Sequence, residues 1–238
     1  MRITKLIPVI VVAAALLLAG CGRSPEDARK DLGKMNLPYT EQAFTEAAGN
    51  KDMTAVKLFL EAGMSPNLPA GESTPLIEAA NNSNLEMIKL LVEKGADVNG
   101  KSKDGLTPVM AAVTAEGPAA ARQEVVKFLL EKGADLNVRY LLNGFGVTPL
   151  MLAVQQKDLE VVKLILAHKV DVNSYDNNTR WTALMAAVND NSLEIVKELL
   201  AKGANVNFKA KNNVTALAIA QGNNNPEMVK LLMNAGAR

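Results

Sequence analysis

Cysteine and histidine are nearly missing: Cys21 and His168 are the only ones in 238 residues. No intrachain disulfide framework can form, and no Cys/His zinc site, which needs three or four convergent ligands. His168 falls near the end of a helical segment, where it reads as a helix-end residue. An excess of charge is missing too, with Lys+Arg 26 against Asp+Glu 25. A protein held by phosphates needs a clear basic surplus, so a nucleic-acid partner is excluded. No glycine-rich phosphate loop and no nucleophile elbow occur. Catalysis requires a nucleophile, base or metal in convergent geometry. With none of these, the expectation is a non-enzyme with no cofactor, no metal and no small-molecule substrate. Aromatics are scarce at 4%, which makes their placement informative.

The amino terminus carries the longest apolar run. Arg2 and Lys5 precede Leu6 to Leu18, which contain no charged or polar side chain. That run is shorter than the roughly 20 residues a bilayer span needs, and it fits the apolar core of a secretory signal. The next residues, Leu18-Ala19-Gly20-Cys21, resemble a bacterial lipobox, the signal for lipidation of Cys and cleavage before it. The resemblance implies a signal peptide over 1–20 and a membrane anchor through acylated Cys21. Two or three acyl chains, as lipobox proteins carry, hold far better than one. Gly22 rather than Asp after the Cys points, by the rule for such lipoproteins, to the outer membrane facing the periplasm. Removing 1–20 leaves 24 basic and 25 acidic residues. Residues 21–39 read as a spacer holding a short helix. Ser24 caps it, Pro25 sits in its first turn, Glu26 and Asp27 meet its positive end, and it should end near Gly33.

From residue 40 onward the chain repeats itself. Thr74-Pro75-Leu76-Ile77-Glu78-Ala79-Ala80 returns in register at Thr107, Thr148, Thr182 and Thr215, with a degenerate first copy at Gln42–Ala47. A second apolar helix follows each. Five of these second helices place Glu three residues before Lys, as at Glu86 and Lys89 or Glu160 and Lys163. That spacing pairs opposite charges on a solvated face. Gly63, Gly95, Gly133, Gly203 and Gly236 close the second helices, and Asn67, Asn99, Asn137, Asn173 and Asn207 open the turns that follow. Six copies in register resemble the ankyrin repeat, a turn plus two antiparallel helices. The implied fold is all-α: an ankyrin-repeat solenoid of about six helix-turn-helix repeats with hairpin-like turns. The repeats fall at about 40–67, 68–99, 100–137, 138–173, 174–207 and 208–238.

Several positions depart from the family pattern. The family's histidine after Thr-Pro-Leu, which links neighbouring repeats, is replaced by Ile77, Met110, Met151, Met185 and Ala218. Stacking is therefore expected to rest on apolar packing. Lys169 stands where the other second helices close on Gly. In a left-handed conformation it would cost about 1 kcal/mol. The third repeat carries extra residues between its helices around Glu116-Gly117-Pro118-Ala119, and the turn from repeat three to four is longer than its neighbours.

The family binds partner proteins through its concave side, built from hairpin tips and the exposed face of the first helices. By register from each Thr, the helix positions include Asn81, Gln155, Gln156, Asn189 and Asp190. Five aromatics fall in turns of repeats four to six: Tyr140, Phe145, Tyr175, Trp181 and Phe208. Leu141 and Leu142 adjoin them, and Arg139 and Arg180 flank the group. Large apolar side chains on exposed turns are the usual interface anchors. Periplasm-facing ankyrin lipoproteins resemble the immunity proteins that neutralise type VI secreted antibacterial lipases, so one implied partner is such a secreted effector. The other is a resident periplasmic enzyme, such as an oxidative-stress enzyme, for which the chain would be a scaffold or assembly partner.

Overall fold

The computed structural model describes residues 23–68, 73–142 and 144–238. The signal segment 1–20 and Cys21 lie outside the described residues. The chain opens with α1 (Pro25–Lys34), followed by six antiparallel helix pairs. These are α2 (Glu41–Gly49) with α3 (Met53–Glu61), α4 (Pro75–Asn81) with α5 (Leu85–Glu93), and α6 (Pro108–Thr114) with α7 (Ala119–Glu131). Then come α8 (Pro149–Gln155) with α9 (Leu159–Leu166), α10 (Ala183–Asn189) with α11 (Leu193–Ala201), and α12 (Ala216–Gly222) with α13 (Pro226–Asn234). First helices pack on first helices and second on second. The result is an all-α solenoid with one continuous core. A hairpin of β1 (Tyr140–Leu142) and β2 (Phe145–Val147) precedes α8.

The recurring threonine explains the first helices. In five of the six repeats its extended backbone breaks into the helix while its hydroxyl accepts the third helical N–H, as Thr74 does from Ile77 at 3.2 Å and Thr182 from Met185 at 3.3 Å. Thr107 departs: its buried hydroxyl has no partner, and α6 starts without a side-chain cap. Asp52, Asn84, Asp158 and Asn225 cap second helices in the same way. Ile77, Met110, Met151 and Met185, at the family's histidine position, are buried, whereas Ala218 is exposed.

Apolar packing does not hold the stack alone, contrary to expectation. Each turn asparagine reaches the next repeat with both ends of its amide. Asn67 Nδ2 donates to the Gly95 carbonyl at 2.8 Å while its Oδ1 accepts the Asp97 N–H at 2.7 Å. Asn99 does the same to Gly133 and Asp135, Asn137 to Lys169 and Asp171, Asn173 to Gly203 and Asn205, and Asn207 to Gly236 and Arg238. This ladder satisfies helix-end carbonyls that would otherwise face solvent unpaired.

Lys169 is not left-handed, so the strain expected there is absent. Lacking a glycine, α9 stops early, with Ala167 as its C-cap, and the His168 ring bonds the Leu164 carbonyl at 3.0 Å. The Lys169 carbonyl still serves the asparagine ladder. The closing glycines of the other repeats are left-handed, and so are the non-glycine residues between the two helices of a repeat at Lys51, Ser83, Lys157, Asn191 and Asn224, with φ between 49° and 60°. Lys157→Gly is therefore expected to stabilise the fold by up to about 1 kcal/mol, while Lys169→Gly gains nothing. Urea titration of both variants checks the contrast, and equal gains would refute it.

The segment read as a spacer is docked. Ala28 and Leu32 of α1 are fully buried against α3. Tyr39 donates its hydroxyl to the Ala62 carbonyl at 3.0 Å, and Arg29 lies over the Tyr39 ring at 4.5 Å while donating to the same carbonyl. The helix covers apolar surface that an end repeat would otherwise leave to water. The extra residues of repeat three also have a structural use. They start α7 early, and its added first turn carries Arg122 and Gln123 to Asp158, the cap of α9 in the next repeat.

Candidate functional site: the hairpin edge and concave groove

Strand alternation decides where the turn aromatics point. Tyr140 opposes Val147, Leu141 opposes Gly146, and Leu142 opposes Phe145. Directly opposed residues share a face and successive ones alternate. Tyr140, Leu142, Phe145 and Val147 thus form one face, and Leu141 projects from the other at 58% exposure. The next hairpin is held at Tyr175 and Thr182 by an isolated bridge. Trp181, beside Thr182, is half-buried against the core.

The two hairpins and the inner helices enclose a groove of about 430 Å³. Leu142, Phe145 and Val147 of one hairpin and Thr179 and Trp181 of the next line it, together with Met151 and Gln155 of α8 and Ala186 of α10. Phe145 is 37% exposed, which leaves its ring open to the groove. The lining is mostly apolar, with Gln155, Asp176, Thr179 and Thr182 as its polar residues. Such a recess admits a large side chain and hydrogen-bonds the chain that carries it.

Tyr175 and Phe208 form a separate layer on the edge. Their ring centroids are 5.5 Å apart. Arg180 lies 5.1 Å from the Tyr175 centroid and 5.5 Å from that of Phe208, and Arg139 lies 5.7 Å from Tyr175. Arg139 also donates to the Tyr175 carbonyl and to Asn177 Oδ1. The sequence grouped these residues as one cluster; the structure divides them into a groove and a stacked edge. Tyr140 is half-buried and packs on the core, so it is less an anchor than its turn position implied. Gln155 joins the groove. Gln156 and Asn189 are exposed outside its lining, Asp190 is half-exposed, and Asn81 is exposed on repeat two.

Asp176 organises the fifth hairpin, a role the sequence reading missed. Its Oδ1 accepts the N–H groups of Asn178 at 2.8 Å and Thr179 at 2.7 Å, and its Oδ2 accepts the Thr179 hydroxyl and the Trp181 N–H. The signal was present as an Asp followed three residues later by Thr, an Asx-type turn. Burial pushes the carboxyl pKa up, but the Thr179 hydroxyl and the N–H groups outweigh it and hold the group below the ordinary range. A depressed folded value means that ionised Asp176 stabilises the hairpin above the unfolded pKa, about 3.9. That contribution is lost as pH falls through the lower folded value. Trp181, the single tryptophan, reports it. Its emission should shift on acidification below about pH 4, and Asp176→Asn should remove that step. An identical acid profile in the variant would show that the carboxylate does not hold the turn.

Among the described residues, no group of three His, Cys, Asp or Glu is placed to hold a metal ion, and no helix is long and apolar enough to cross a membrane. A family model described as ankyrin repeats matches the chain three times, over residues 44–140, 120–210 and 150–238. No curated protein matches the chain.

Proposed function

The chain belongs to the ankyrin-repeat family, a family of protein-interaction modules, and from that premise we propose that it is a membrane-anchored, periplasm-facing protein that binds and neutralises an antibacterial lipase delivered by type VI secretion. The observation that carries the binding role is the groove between the hairpins of repeats four and five, where Leu142, Phe145 and Trp181 surround an open apolar recess. A rigid solenoid orders little on association, so such a recess yields affinity at low entropic cost. The envelope role is supported by the lipobox-like Leu18-Ala19-Gly20-Cys21 and by Gly22 after it. Lipases that attack envelope phospholipid act where an anchored inhibitor waits, which joins the two halves of the reading.

Cells lacking the gene should be lysed by siblings that deliver the effector, and the full chain restored in trans should protect them. Cys21→Ser, which removes the thiol that forms the lipid thioether, should release the protein from membranes or leave it unprocessed. Survival of the deletion strain under attack, or lipase activity unchanged by equimolar protein, sinks the immunity reading. Capture of a resident periplasmic enzyme in its place would support a scaffold.

A further inference from the structure

The groove explains the apolar half of the surface but not the two arginines beside it. Arg180 sits in left-handed geometry at φ 60°, an unusual conformation for a long side chain. Its guanidinium lies near the Tyr175 and Phe208 rings. Arg139 approaches the same Tyr175 ring and is fixed by bonds to the Tyr175 carbonyl and Asn177. Two like charges thus share one aromatic ring, and among the described residues no carboxylate lies within ion-pair distance of either. A guanidinium against a ring is weakly hydrated and already oriented. The remaining N–H groups, all of those of Arg180 and the ones of Arg139 other than on Nη1, face no acceptor among the described residues. The surroundings add to the field. Lys101, Lys209 and Lys211 stand exposed on neighbouring turns, Lys103 and Asp104 are of opposite sign, and Asp176 is buried in its own turn. The hairpin edge is therefore basic on a chain that carries no basic excess beyond residue 22.

We propose that Arg139 and Arg180, stacked on Tyr175 and Phe208, recognise an acidic segment of the partner protein, whose neighbouring apolar side chain enters the groove lined by Leu142, Phe145 and Trp181. This rests on the protein-binding reading above and specifies the chemistry of its partner. Carboxylate and guanidinium match as planar bidentate groups. Thr179 and Trp181 flank Arg180 in sequence and line the groove, so one short acidic-apolar segment spans both features. The positive edge also steers an acidic partner toward the recess.

Random peptides displayed on phage and selected against the full chain test the inference without a known partner. Selected peptides should be enriched in Asp or Glu close to Leu, Phe or another large apolar residue. For a selected peptide, Arg180→Gln should weaken binding about tenfold or more, and Arg180→Lys should restore part of it, because ammonium keeps the charge but not the fork. Added salt should weaken binding to the native chain more than to the Gln variant. Among the described residues Arg180 makes no side-chain hydrogen bond, and its two ring contacts are those of an exposed side chain, so the melting temperature should fall only slightly in Arg180→Gln. Selection of no binder, absence of acidic enrichment, or a change within about twofold in Arg180→Gln overturns the proposal. If acid-free peptides are selected and their binding is lost in Phe145→Ala, the groove reading stands and only the acidic preference falls. If binders ignore both substitutions, both fall.

Discussion

Arg122→Ala is expected to destabilise the solenoid by about 3 kcal/mol, at the lower end of the range for breaking a buried ion pair because the arginine retains some solvent contact. Arg122 donates from Nε at 3.1 Å and Nη2 at 2.9 Å to Asp158 Oδ2, and from Nη1 to the Ala115 carbonyl at 3.1 Å. The two side chains are only 14% and 7% exposed. Asp158 also accepts from Gln123 and caps α9 through Val161. One carboxylate therefore joins the third repeat to the fourth and starts a helix. Burial pushes its pKa up, yet the bonds from Arg122, Val161 and Gln123 and the arginine charge hold it below the ordinary range. Its stabilisation is present above the unfolded pKa and is lost as pH falls through the lower folded value. The penalty in the variant should accordingly be large at neutral pH and shrink below about pH 4. Urea unfolding at both pH values measures it. Lys163→Ala, which removes an exposed pair with Glu160, should change little by comparison. A loss below about 1 kcal/mol at neutral pH would place Arg122 among surface pairs of no structural weight.

Periodicity within a repeat is a short-range signal, and it was legible. The repeated threonines mark the starts of the first helices, and all but Thr107 cap them, because a cap needs only residues three positions apart. Two of the Glu-to-Lys pairings, Glu160 with Lys163 and Glu194 with Lys197, close into ion pairs for the same reason. The asparagine ladder was half legible. The turn chemistry of Asn67 or Asn99 can be read locally, but their partners lie about one repeat away and depend on stacking distance. Lys169 illustrates the converse. Register placed it at a glycine position, yet an early helix stop and the His168 ring gave the chain another exit. The use of the insertion around Gly117 was not legible because Arg122 and Asp158 are 36 positions apart. The candidate site was legible as a composition anomaly only. Strand alternation and a neighbouring repeat decide that Phe145 faces a groove, Leu141 faces away, and Tyr175 stacks with Phe208.

Phe145→Ala and Trp181→Ala together are expected to weaken the partner complex by at least thirtyfold, the equivalent of about 2 kcal/mol. The two rings come from neighbouring hairpins and both line the recess, so truncating both widens it and removes surfaces that would grip an inserted side chain. Binding energy concentrates in such desolvated aromatic anchors, while the exposed amides of Gln156 and Asn189 lie outside the lining and should contribute much less. Fold and function separate cleanly at Phe145, which is 37% exposed on a two-stranded turn and pairs with Leu142 through its backbone. Trp181 is half-buried, but its backbone is tied by the Asp176 carboxylate and by the Asp176 N–H to its own carbonyl. Each single variant is therefore melted beside the native chain, and Phe145→Ala alone should lose affinity at an unchanged transition. The measurement is calorimetric titration of the partner, or sibling-killing protection at matched protein levels. The dissociation rate should carry most of the change, since side chains that seat after encounter govern residence rather than arrival. Unaltered affinity in Phe145→Ala, together with loss in a paired Asn81→Ala and Asn189→Ala variant, would move the interface to the first-helix face.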